Sequence, residues 1–227
     1  MVSCALRADS AAARPHVFSD TKAITGALPA TLSSIPRYVY YVPSLSRDTF
    51  DALEFDAAAS GDHTAAAREM TRLATLGTET AGMPRAEAFL RTADQWLLAD
   101  DPAEAADWYR RALADGGSAS VDPRVGLARA LFQLDRDAEA QRVLSTLTAE
   151  RPGDPRTCDL AAELLLDLGD VMGALGWATT GVELCLAAGQ QLGGTESELL
   201  LLLRLRYRIR NDLGLPEDDY DALLDTA

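Results

Sequence analysis

A chain of 227 residues with 48% hydrophobic and 25% charged side chains has the make-up of a globular protein, long enough for one good-sized domain or a stack of small repeats. Its formal charge of −14 and pI near 4.5 argue against nucleic acid as the main partner, because phosphate binding needs a basic surface. Aromatics make up only 6% while alanine and leucine dominate the apolar set, a bias toward helix over sheet.

Residues 1–46 stand apart. They carry four basic and two acidic side chains, which leaves −16 on residues 47–227, and they hold the one lysine of the chain, Lys22. Ser, Thr, Pro and Ala dominate them without helical periodicity, so they read as a disordered tail. Within them only Arg37–Val42, between Pro36 and Pro43, has the text of a short strand. The first residues lack the apolar stretch of an export signal, and Cys4, Cys158 and Cys185 form neither a disulfide framework nor a zinc-ligand spacing. Reduced thiols without an export signal point to the cytoplasm. The longest apolar run, Leu199–Leu203, is far short of the ~20 residues that span a bilayer, so no membrane role is expected.

From Arg47 onward one phrase recurs: a helical stretch, a short Gly/Asp turn, then a second helix with alanine near its start. Copies begin at Arg47, Ala86, Val121 and Pro155, spaced 39, 35 and 34 residues apart. Within them apolar residues recur three and four apart, as in Phe89, Ala93, Trp96 and Leu97, or Leu127, Leu131 and Leu134. Each helix pair is too small to bury its own apolar face, so neighbours must stack. The phrase and its spacing resemble the tetratricopeptide repeat, a helix–turn–helix unit of about 34 residues. That resemblance implies an all-α fold, a superhelical stack of helix–turn–helix repeats with a C-terminal capping helix. The units would be 47–80, 86–120, 121–154 and 155–190, with a loop insertion around Gly77–Gly82.

The family's slots can be followed residue by residue. The small residue that starts the second helix is Ala66, Ala105, Ala140 and Ala174; the turn slot holds Gly61, Asp100, Asp135 and Gly169. The large residue late in the first helix is Ala57, Trp96, Leu131 and Leu165, and the aromatic slot of the second helix has Met70, Tyr109, Leu144 and Ala178. Two departures stand out. Arg124 occupies an opening slot that calls for bulk, alongside Phe50, Phe89 and Cys158; Glu54 occupies a small slot filled elsewhere by Ala93, Ala128 and Ala162.

Residues 195–227 read as a capping helix and tail. Arg and apolar residues alternate over 204–210, which alone suggests a strand, but Thr195 with Glu198 forms a capping box and Gly214 with Pro216 marks a stop. A helix from about Glu196 to Leu213 follows. It aligns Leu202, Leu205 and Ile209 on one ridge and Leu200, Leu203 and Tyr207 on another. Arg204, Arg206, Arg208 and Arg210 are expected to pair with acidic neighbours, a nucleic-acid strip being the alternative.

No phosphate loop, metal-ligand spacing or nucleophile motif is present, and His16 and His63 have no catalytic company, so no enzyme, cofactor or metal is expected. What remains is recognition. In this repeat family the first helices line a concave groove. Carried over by register, that groove takes Glu87, Leu90, Asp94 and Leu97 from the second copy and Asp122, Val125, Arg129 and Phe132 from the third. Asp159, Glu163 and Leu166 come from the fourth. An acidic, partly apolar groove suits a basic or amphipathic protein segment, whereas the family's clamp for acidic peptide termini needs basic residues there. The expected function is an adaptor for another protein or peptide. The alternative is a self-associating subunit, a homodimer through its repeat ends.

Overall fold

The structure is a computed structural model that describes residues 45–76, 80–190 and 197–226. The tail and the strand expected at Arg37–Val42 therefore lie outside the described residues, apart from Leu45 and Ser46. Among the described residues the chain forms nine α-helices: α1 (Arg47–Ser60), α2 (His63–Leu76), α3 (Arg85–Leu98), α4 (Pro102–Asp115), α5 (Pro123–Gln133), α6 (Asp137–Glu150), α7 (Pro155–Asp167), α8 (Val171–Ala187) and α9 (Glu198–Asp212). A 3₁₀ turn at Asp221–Thr226 closes the chain. Two short strands, β1 (Leu45–Ser46) and β2 (Thr80–Ala81), pair in parallel and tie the entry of α1 to the segment before α3.

Local chemistry sets the helix limits. Asp101, Asp122, Asp154 and Asp170 accept the backbone N–H of Glu104, Arg124, Thr157 and Gly173, each satisfying a donor that the first turn leaves open. Pro102, Pro123 and Pro155 sit in first turns, where a missing N–H costs nothing. At the turn between paired helices the chain swings into the left-handed region in all four copies: φ is 76° at Gly61, 59° at Asp100, 57° at Asp135 and 78° at Gly169. In three of them the residue after the turn donates its N–H back to the large residue of the first helix, from Asp101 to Trp96 O (2.9 Å), Arg136 to Leu131 O (2.9 Å) and Asp170 to Leu165 O (2.8 Å). The aspartates make this turn against the Cβ clash that glycine avoids. Asp135→Gly should therefore stabilise the protein by about 0.5–1 kcal/mol, seen as a rise in urea midpoint at constant slope. A fall would mean that the αL strain is not felt.

The second-helix alanines Ala66, Ala105, Ala140 and Ala174 are all buried, which lets the paired helices approach closely. First helices also touch one another along the stack, α1 with α3, α3 with α5, α5 with α7 and α7 with α9, whereas each second helix packs mainly on first helices. A layer that is closer together on one side must curve toward it, so α1, α3, α5, α7 and α9 form the inner face of a superhelix. The stack is looser at one joint. α6 packs on α5 but scarcely meets the backbone of α7, leaving an outer cleft of about 840 Å³ between Leu144, Thr148 and Pro152 on one side and Leu165, Gly176 and Trp177 on the other.

The two slots that depart from the family pattern hold ion pairs. Glu54 receives the guanidinium of Arg91 from α3 at 2.6 Å, and Asp51 receives it at the same distance. Arg124 grips Asp122 at 2.6 Å and reaches Glu150 at the end of α6. At the far end α9 lays Leu205 and Ile209 against Ala162, Ala174 and Ala178, and Leu199, Leu202 and Leu203 against Val182 and Cys185. It comes close at Gly181, where a Cβ would lie 2.8 Å from Leu202. The helix begins two residues later than the sequence suggests. Ser197 accepts the Leu200 N–H at 3.2 Å and is the cap, while Thr195 lies outside the described residues.

Candidate functional site

The inner face holds a cleft of about 260 Å³ between α3, α5 and α7. Leu90, Asp94, Leu97, Val125 and Arg129 from the sequence-derived set line it, joined by Tyr109, Ser120, Val121, Gly126, Arg156 and Leu160. Phe132 packs partly buried against the main core and Leu166 against the cluster under α9. Asp159 is half-buried on α7 and Glu163 is exposed one turn further on.

The carboxylates expected along the groove divide by depth. Glu87 is buried and accepts the backbone N–H of Ser120 at 2.6 Å, pinning the loop between α4 and α5. Asp122 caps α5 and holds Arg124. Asp94 accepts the hydroxyl of Tyr109 at 2.6 Å. Asp159 and Glu163 form no ion pair among the described residues, and Arg129 reaches Asp167 at 4.0 Å.

Register alone did not supply six of the lining residues, among them Tyr109, Arg156 and Leu160. Tyr109 fills the aromatic slot of α4. It reaches the cleft because Gly126 on α5 faces it: a Cβ there would stand 2.3 Å from the ring carbon that bears the hydroxyl. The signal was present in the sequence as a glycine inside a helical pattern, which marks close approach. Arg156 and Leu160 lie one turn apart on the same side of α7 as Asp159 and Glu163, a spacing that the helical period exposes.

Burial raises the pKa of Asp94 to about 6; the Tyr109 hydroxyl opposes the shift, and the nearby charges of Glu54 and Glu87 add to it. Burial, with the Asp94 charge, likewise pushes the Tyr109 phenol up. Asp159 and Glu163 are shifted up by burial, with Arg156 pulling the first down and Arg129 and Arg208 the second. A carboxyl raised in the fold binds its proton more tightly when native, so its contribution to stability is full below the unfolded pKa near 3.8 and is lost as pH rises through about 6. Stability should accordingly increase by about 1 kcal/mol between pH 7 and pH 5 from Asp94. In Asp94→Asn, which keeps an oxygen for Tyr109, that increment should vanish. Urea midpoints at the two pH values read it directly, and an unchanged slope in the variant would remove Asp94 as its source.

Curved layers of paired helices, an inner cleft and buried small residues at every pair define a helical-repeat scaffold of the kind that binds another protein or peptide. Residues 97–164, under a third of the chain, match the family model of the tetratricopeptide repeat. Proteins of this family are in general scaffolds rather than catalysts. Among solved structures the chain is similar to YrrB, described as a TPR protein with an unusual peptide-binding site. Identity is 15%, over 72% of this chain and 85% of that one, with a TM-score of 0.38. No curated protein matches the sequence. Among the described residues no helix is long and apolar enough to cross a membrane, and no group of three or more His, Cys, Asp or Glu side chains is placed to hold a metal ion.

Proposed function

We propose that this chain is an adaptor that holds a basic or amphipathic segment of another protein against the inner sides of α3, α5 and α7. The observation that carries the reading is the cleft around Asp94. Leu90, Leu97, Val125 and Leu160 give it apolar walls, and a carboxyl raised by burial sits among them. Asp159 and Glu163 extend the acidic character along α7. A cationic side chain beside these groups would favour their charged forms, set the register of the segment and steer its approach, while the apolar contacts supply most of the affinity. Arg129 and Arg156 border the same cleft and would face carbonyl or acidic groups of the ligand, which favours an amphipathic segment over a purely basic one.

Selection of short displayed peptides on the protein, counter-selected on Leu97→Glu, tests this. The enriched sequences should interleave Lys or Arg with apolar residues and bind Leu97→Glu at least about tenfold more weakly. Phe132→Ala should speed their release, and binding should weaken as added salt shortens the screening length from about 10 Å at 0.1 M to about 3 Å at 1 M. Peptides that bind Leu97→Glu as well as the parent, or that are uniformly acidic, would place the interaction surface elsewhere.

A further inference from the structure

A stack of repeats buries each pair against the next and leaves one unpartnered face at each end. At the N-terminal end α1 turns Phe50 and Ala57 inward. Asp48, Ala52, Phe55 and Ala59, spaced three and four apart, share its opposite side, and all four are exposed. Phe55 is 74% exposed, the most among the large apolar side chains described. Asp48 and Asp56 form no ion pair among the described residues, and Asp51, though held by Arg91, keeps 56% of its side chain in solvent. Arg47 is the one base of α1, so this face is apolar and net acidic.

The other end has the opposite sign. α9 buries Leu202, Leu205 and Ile209 and leaves Leu201, Arg204 and Arg208 outward on one side, with Tyr207 beside them and Asp212 one turn past Arg208, a net basic side. Arg206 and Arg210 are taken up by Asp218 and Asp221, whereas Arg204 and Arg208 form no ion pair among the described residues. The two end helices are nearly equal in length, 14 and 15 residues, so each presents a side roughly 21–22 Å long.

We propose that the Phe55 face of α1 docks on the Leu201 face of α9 in a second copy of this chain, so that copies associate head to tail. Charge selects this pairing. Two α1 faces would set aspartates against aspartates and two α9 faces arginines against arginines, while α1 on α9 pairs unlike charges around an apolar centre. A contact between two different patches does not close on itself as a two-fold dimer does; it propagates or forms a ring. With one helix side from each partner, the contact belongs to the small, weak class and is sensitive to salt.

Sedimentation velocity on the full chain, up to hundreds of micromolar protein and at roughly 0.01 M and 1 M salt, tests this across screening lengths of about 30 Å and 3 Å. At low salt the mean mass should climb past the dimer with concentration, and at high salt it should fall back to the monomer. Phe55→Asp (or Phe55→Ser) and Arg204→Glu/Arg208→Glu change only exposed positions and should keep the helical circular dichroism. Each alone should associate at least about tenfold more weakly. Mixed in equal amounts, Phe55→Asp and the double variant each contribute one intact end, so they should form dimers and nothing larger. A monomer under all conditions, growth that stops at the dimer, or variants that associate like the parent would overturn the proposal. So would polymer appearing only after deletion of residues 1–44, which would assign the α1 face to the chain's own N-terminal segment.

Discussion

Asp221→Ala should lower the stability of the C-terminal cap by about 3 kcal/mol, a fall of roughly 6–12 °C in Tm for a chain of this size. Asp221 and Arg206 form the most deeply buried ion pair of the described residues, with 3% and 5% of their side chains exposed and 3.0 Å between their charged atoms. Arg206 also donates to Thr179 at 3.1 Å, reaches Asp218, and lies over the Tyr220 ring at 4.8 Å. It therefore joins α8, α9 and the closing 3₁₀ turn at one point. Truncating Asp221 leaves a guanidinium in a site that water cannot readily enter, and such losses cost about 3–5 kcal/mol. Asp218 remains as a partner, which puts the effect at the lower end. Replacing Arg206 and Asp221 together by apolar residues of similar volume should cost much less than either single truncation, because no charge is then stranded. Thermal and urea unfolding followed by circular dichroism measure both. A change under about 1 kcal/mol in Asp221→Ala would mean that solvent reaches the pair. The same cluster sets the acid limit of the cap: hydrogen bonding from Arg206 holds Asp218 down at about 2, against a smaller push upward from burial. Its contribution is present above the unfolded value near 3.8 and disappears as pH falls through about 2.

The parts of the fold that were legible in the sequence are those that local geometry dictates. An alanine at the start of each second helix is a contact with the paired helix whatever lies beyond it, and Ala66, Ala105, Ala140 and Ala174 are all buried. The turn slot must take positive φ, and Gly61, Asp100, Asp135 and Gly169 all do. Glu54 and Arg124 looked like damage to the pattern because their meaning sits far away in the chain: Arg91 lies 37 residues from Glu54 and Glu150 lies 26 from Arg124. Periodicity reports which side of a helix a residue occupies but not how deep that side goes. Hence the groove carboxylates Glu87, Asp94, Asp122, Asp159 and Glu163, one set by register, separate in space into a loop anchor, a tyrosine partner, a helix cap and two residues without an ion pair. The four arginines of α9 separate for the same reason, two turned to the closing turn and two to solvent. The tie between that turn and α9 depends on Asp218 and Asp221 folding back 12 and 15 residues after Arg206, which no local rule contains.

Gly126→Ala and Gly176→Ala make the same chemical change in two helices and should move stability in opposite directions. Away from other constraints, alanine in a helix interior is favoured over glycine by up to about 1 kcal/mol, because glycine loses more backbone entropy on folding. Gly176 sits in α8 with nothing within 4 Å of the place its Cβ would take, so Gly176→Ala should stabilise by about 0.5–1 kcal/mol. Gly126 sits in α5 with the Tyr109 ring 2.3 Å from that place and its hydroxyl oxygen 2.6 Å away. A buried aromatic ring cannot give by rotating its far end, so either α4 and α5 separate or the phenol leaves Asp94. Overpacking of this kind costs about 1–3 kcal/mol, enough to outweigh the helix propensity gained. Where the phenol leaves, Asp94 loses a hydrogen bond to its charged form. Its carboxyl should rise further, and stability should fall more steeply with pH above about 6 than in the parent. Tyr109→Leu removes the obstacle, and in that background Gly126→Ala should recover the sign it has at Gly176. Equilibrium urea unfolding of the four members of this cycle gives a coupling between positions 109 and 126 that ring contact requires and helix propensity alone does not. If Gly126→Ala stabilises the parent, the ring does not lie over Gly126, and the route by which Tyr109 enters the cleft beside Asp94 is lost with it.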